Sequence, residues 1–111
     1  METLHLNLKK KWFDMIASGE KKTEYRDQTE YWEKRLINID EQNRLDAGLS
    51  LDIAFRDFQT VTFSNGYSKD RRQMVIKIES FEAGFGKEEW GALKNNWYYK
   101  INLGRIIMKN F

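Results

Sequence analysis

Cysteine is absent from all 111 residues. That excludes disulfides, thiolate metal sites and cysteine nucleophiles together, and points to a reducing, cytoplasmic setting. Proline is absent as well, and no internal repeat, low-complexity tract or linker interrupts the chain. A single histidine, His5, leaves little scope for a zinc site or an imidazole triad, which need several imidazoles or a His paired with Ser or Cys. No metal or other cofactor is therefore expected. No apolar stretch approaches the ~20 residues of a membrane span. The Lys9–Lys11 run follows the first apolar residues instead of preceding them, the reverse of a secretory signal. Membrane insertion and secretion are not expected. Charge of one sign is scarce too: 19 Lys and Arg against 17 Asp and Glu give a formal net of +2. An anion site must then come from local clustering and not from a polycationic surface.

What the chain has in quantity is aromatic surface. Four Trp, five Tyr and seven Phe make 14% of it, enough to pack a small core and leave several rings for a cleft. The length suits one domain spanning residues 1–111, since single domains cluster at about 100–150 residues. Leu4, Leu6 and Leu8 alternate with His5, Asn7 and Lys9, which predicts an opening strand with His5 on the face away from the leucines. Trp12, Met15 and Ile16 recur at helical spacing before Gly19, predicting a short amphipathic helix ended by a glycine, with Trp12 and Ile16 in the core. Lys22 to Arg26 reads as extended, with Lys22, Glu24 and Arg26 on one face. Gln28 to Leu36 reads as a second helix with Asp27 or Thr29 as N-cap.

Asn38 to Ser50 is polar and reads as a loop, and Leu51 to Phe58 and Thr60 to Phe63 as extended segments. Asn65-Gly66 signals a turn, so Ser64 to Arg72 should form a hairpin tip. Met74, Ile76 and Ile78 alternate as a half-buried strand. The segment AGFGKEEWGAL is too rich in glycine for a regular element, while Trp97, Tyr99, Ile101 and Leu103 resume period two and Arg105 to Phe111 closes the chain as another strand or its continuation. The sum is an α+β domain: a small barrel or curled sheet of five or six strands, with one or two short helices near the N-terminus.

Gly19-Glu20-Lys21-Lys22-Thr23-Glu24-Tyr25-Arg26 has the form G-x-K-x-x-E-x-R. Gly19 can adopt a left-handed conformation that reverses the chain. Lys21 is a compact cation with three donors, Arg26 a planar fork suited to phosphate or a base edge, and Glu24 an acceptor-only carboxylate between them. If both cations face Glu24 in a dry cleft, its pKa should fall; if Lys21 is more desolvated than paired, its own pKa drops toward that of a usable base. The ordinary alternative is an exposed ladder of surface salt bridges, worth about 0–1 kcal/mol per pair.

The motif, its place after a first strand and helix, the Asn65-Gly66-Tyr67 turn and the closing strand Trp97 to Ile107 resemble the ASCH domain family of the PUA-like superfamily over nearly the whole chain. The resemblance implies a PUA-like β-barrel whose cleft is lined by the motif and whose ligand is RNA, a nucleoside or a nucleotide. Gly19, Lys21, Glu24 and Arg26 would line that cleft, with Tyr67 or Trp90 stacking on a base and Asn65 bonding its edge. Arg71 and Arg72 at the hairpin tip form the better basic cluster for a phosphate backbone, ahead of Lys9–Lys11 at a helix start. One branch of the family resembles amidohydrolases of acetylated cytidine, in which the motif lysine activates a threonine where this chain has Glu24; other members are similar to ribonucleases. Hydrolysis at the same cleft, with Lys21 as cation or base and Glu24 as proton carrier, is thus the enzymatic alternative, and an adaptor for a protein partner the third.

Overall fold

Alternation of leucine with polar residues makes β1 (Glu2–Asn7) a strand with one dry face, and Leu4 and Leu6 are buried while His5 and Asn7 face solvent. The computed structural model describes residues 2–37 and 55–111; the loop expected over Asn38 to Ser50 and the first part of the extended segment from Leu51 lie outside the described residues. α1 (Lys10–Ala17) turns Phe13 and Ile16 inward, ends at Ser18, and hands over to Gly19, whose φ of +85° reverses the chain at low cost. The reversal lets the Lys21 amide donate to the Met15 carbonyl at 3.0 Å, which brings the residues after the helix back along it.

β2 (Thr23–Asp27) follows directly. Thr29 caps α2 (Glu30–Leu36), its side chain accepting from the Trp32 amide, with Glu30 and Glu33 in the first turn and Lys34 and Arg35 in the last, the arrangement the helix dipole favours. The long strands are β3 (Phe58–Asn65), β4 (Arg72–Phe85) and β5 (Trp97–Lys109), and a 3₁₀ turn at Glu88–Trp90 joins the last two.

The sheet order is β1-β3-β4-β5-β2, parallel between β1 and β3 and antiparallel elsewhere. Register shifts between Val75 and Ser80 on β4 locally break the ladder with β5, and such bulges bend and twist a sheet. The result is a five-stranded mixed half-barrel whose two edge strands approach each other: Arg26 Nη2 on β2 donates to the Asn7 carbonyl on β1 at 3.4 Å, and Arg35 Nη2 on α2 donates to the His5 carbonyl at 3.2 Å. Inside lies one main core, with Phe13, Leu36, Val61, Phe63 and Ile101 wholly buried. No helix among the described residues is long and apolar enough to cross a membrane.

Two expectations about β-structure need correction. The glycine-rich stretch is partly regular, because Ala83, Gly84 and Phe85 pair with Tyr99, Tyr98 and Trp97 and the ladder outweighs the entropy cost of glycine. Trp97 does not continue the buried series of Tyr99, Ile101 and Leu103; it packs edge-on against Phe85 in the open, where β5 has run past its pairing with β2. A smaller cluster of Tyr25, Ala92 and Tyr98, with Trp90 against it, closes this end. Gly86 makes that packing close: a Cβ there would stand 2.6 Å from Ala92 Cβ and 2.8 Å from the Tyr25 ring. Gly86→Ala should therefore overpack the cluster and cost about 1–3 kcal/mol in urea denaturation; an unchanged midpoint would mean that the ring moves freely.

Candidate ligand cleft at the seam of the half-barrel

The three charged residues of the G-x-K-x-x-E-x-R segment converge on one another. Glu24 Oε1 accepts from Lys21 Nζ at 2.8 Å and from the Tyr25 amide at 3.2 Å, while Glu24 Oε2 accepts from Arg26 Nη1 at 2.6 Å. Lys21 and Glu24 are each only 3% exposed, so this is no surface ladder but a buried ion pair with a partly buried third member. Strand alternation puts Glu24 and Arg26 on one face, as expected. Lys22 does not join them and is exposed: β2 begins at Thr23, so the alternation does not extend back to it, and the turn after Gly19 places Lys21 there instead. Thr23 uses its hydroxyl hydrogen on Asn102 Oδ1 of β5 at 2.9 Å.

These side chains line a cavity of about 360 Å³ at the seam between the edge strands, near the lower end of the range of about 300–1,000 Å³ for small-molecule sites. Its floor is polar and its walls are aromatic. Lys21 Nζ lies 4.6 Å from the Trp12 ring centroid and 5.6 Å from that of Tyr25, and the Arg26 guanidinium lies 5.1 Å from the Trp32 ring. Trp90 and Gly91 border the opening from the segment after β4, and Asn7, Leu8 and Lys9 from the end of β1. Burial pushes the Lys21 ammonium below its ordinary pKa of 10.5, and the Glu24 carboxylate opposes that fall. Burial likewise raises the Tyr25 phenol above 10.0, against the pull of the Lys87 amide that donates to its oxygen at 3.0 Å.

Of the candidate ligand-contacting residues singled out in the sequence, Lys21, Glu24, Arg26 and Trp90 meet in this cavity, with Lys9 of the lysine run at its border. Gly19 does not line it and acts only through the turn that delivers Lys21. Asn65 is spent on structure, its Nδ2 donating to the Leu8 carbonyl at 3.1 Å and its Oδ1 accepting from Arg72. Arg72 folds back onto α1, 2.9 Å from Asp14 Oδ1 and 4.6 Å from the Phe13 ring, because it is the first residue of β4 and not part of the loop tip. Tyr67 and Arg71 line a different, neighbouring cavity.

Trp12 and Trp32 are the residues that sequence reasoning missed. Trp12 shares the helical stripe of Ile16, but it stands in the first turn of α1, and side chains of a helix lean toward its N-terminus. That lean carries the ring past the core and under Lys21. The available signal for Trp32 was its spacing to Arg35, whose guanidinium also lies 5.1 Å from its ring. Among the described residues no group of three or more His, Asp or Glu side chains is placed to hold a metal ion. No protein-family model matches the chain, and searches of curated proteins and of solved structures find no match either.

Proposed function

We propose that the chain is an ASCH-type domain of the PUA-like superfamily that binds RNA or a nucleoside, with a base held in the cleft at the seam of the half-barrel. The observation that carries this reading is the set of three tryptophans, Trp12, Trp32 and Trp90, that line one cavity with the buried Lys21–Glu24 pair and the partly buried Arg26. Flat aromatic walls take a base face, where each stack is worth about 1–3 kcal/mol. Fixed donors at the floor select a polar edge or an anion: Lys21 has three donors and spends one on Glu24, and Arg26 is held in a fork by Glu24 and the Tyr25 carbonyl. Glu24 thus orients two cations and keeps the buried ammonium paired.

A hydrolytic role for the same cleft has one observation in its favour, the burial that lowers the Lys21 pKa. Against it, Thr23 is bonded to Asn102 and both Glu24 oxygens are already occupied by donors. Binding without turnover is the better fit.

A thermal-shift screen of nucleosides, nucleotides and short RNAs tests the reading, because a ligand at 100 times its Kd adds about 2.7 kcal/mol to the native state. The expected result is a hit whose affinity falls about 5- to 150-fold in Trp90→Ala, from the loss of one stack. Chromatography of the incubated hit should show no product. A screen without hits, alongside capture of a protein partner that survives Lys21→Ala/Glu24→Ala, would replace this reading with the adaptor role.

A further inference from the structure

Beside the tryptophan-lined cleft lies a second cavity of about 390 Å³, bounded by β1 and the hairpin tip, and the two share Asn7 as a common wall. Asn7 is held in that position from two sides: its Oδ1 accepts from the Gly66 amide at 2.9 Å, and its carbonyl accepts from Arg26. The second cavity presents Arg71, His5 and the Tyr67 ring, which is 86% exposed with no core role. Among the described residues, no carboxylate lines it. The two hollows together offer, among the described residues, Lys9, Lys21, Arg26 and Arg71 against Glu24, four cations to one anion, in a chain whose overall charge is nearly balanced. A free nucleoside fills one such hollow and has no phosphate for Arg71.

We propose that the ligand is a single strand of RNA at least two nucleotides long, which crosses Asn7 so that one base occupies the tryptophan-lined cleft while the adjoining phosphate meets Arg71 and the neighbouring base stacks on Tyr67. This rests on the reading of the cleft as a base-binding site and adds the substrate class: an oligonucleotide, selected over a free nucleoside by the second hollow. Aromatic platforms alternating with cations along a groove are how single strands are held without regard to sequence.

The experiment compares the four common ribonucleosides with a mixed-sequence RNA tetranucleotide, by quenching of tryptophan fluorescence, in the wild type, Tyr67→Ala and Tyr67→Ala/Arg71→Ala. Both side chains sit on the loop, and the Arg71 guanidinium donates to the Ser68 carbonyl within that loop, while the Arg71 carbonyl that accepts from Asn110 is kept on substitution, so the fold should hold in each variant. The wild type should bind the tetranucleotide more tightly than any nucleoside. The double variant should lose about 10-fold or more of that affinity, through one stack and one charge contact, and keep its nucleoside affinity. Its log–log salt dependence should flatten by about 0.7, the value of one phosphate contact on a single strand. Equal affinity for nucleoside and tetranucleotide, or an advantage that survives in the double variant, overturns the two-hollow proposal and leaves the base-binding cleft standing. Failure of every nucleoside and of the tetranucleotide to bind removes the cleft reading itself, and this proposal with it.

Discussion

Glu24→Gln should destabilise the protein by about 3–5 kcal/mol at pH 7, because it leaves the Lys21 ammonium in a buried site without its counter-charge. The amide is nearly isosteric, so the effect is electrostatic and not one of packing. It should also depend on pH in a defined direction. Burial places the folded-state pKa of Lys21 below the value of 10.5, and the pairing with Glu24 is what limits the fall. Between a lowered folded pKa and the unfolded one, the unfolded chain binds more protons, so stability rises with pH across that interval. Removing the carboxylate widens the interval downward. Urea denaturation of wild type and variant at pH 7 and pH 9.5 should show the deficit of the variant shrinking at the higher pH, as its amine sheds the proton. A deficit equal at both pH values would mean that Lys21 does not carry an uncompensated charge in the variant.

The second large effect separates stability from function. Lys21→Met/Glu24→Leu replaces both members of the buried pair with apolar side chains of similar size, and such replacements range from neutral to stabilising by about 1–4 kcal/mol. Arg26 keeps the Tyr25 and Asn7 carbonyls as acceptors, while the buried Tyr25 amide loses the Glu24 oxygen it donates to, at a cost of about 1–3 kcal/mol. The two changes nearly offset, so the double variant is expected to be about as stable as the wild type and more stable than Glu24→Gln, a non-additive pattern. Ligand affinity should move the other way: charge-assisted hydrogen bonds contribute about 1.5–3 kcal/mol each, and loss of the Lys21 contact should weaken binding on the order of 100-fold. Equilibrium denaturation and a titration with the RNA that stabilises the wild type measure the two quantities. A double variant as unstable as the single one would make the ion pair a scaffold element; one that binds normally would move the ligand elsewhere.

Local rules reached a good part of the architecture. The alternation at Leu4, Leu6 and Leu8 and at Met74, Ile76 and Ile78 marks two strands whose inward faces are buried, since the period of two is a property of the extended backbone itself. Gly19 and Thr29 mark helix boundaries because a left-handed φ and a side-chain cap are chemical requirements of those positions. The spacing of Glu24 and Arg26 placed them on one side of β2 for the same reason. Where reasoning on spacing failed, a second element was involved. Lys22 gave way to Lys21 because the turn after α1 shifts the start of the strand. Spacing alone puts Asn65 and Arg72 on a ligand-facing tip, yet both are absorbed by contacts to Leu8, just after β1, and to Asp14 on α1, distant in sequence.

What the linear order of residues determined by itself is the set of elements and the one stretch that carries a lysine, a carboxylate and an arginine at close spacing, because helix stops, strand alternation and motif content are all encoded within a few neighbouring positions. Only the tertiary structure decided that β1 lies parallel to β3, that the bent sheet draws Asn7 to Arg26, and that Trp12, Trp32 and Trp90 from three separate segments stand around a buried ammonium. Those are contacts between residues tens of positions apart, set by how the apolar faces pack together, and no local periodicity contains them.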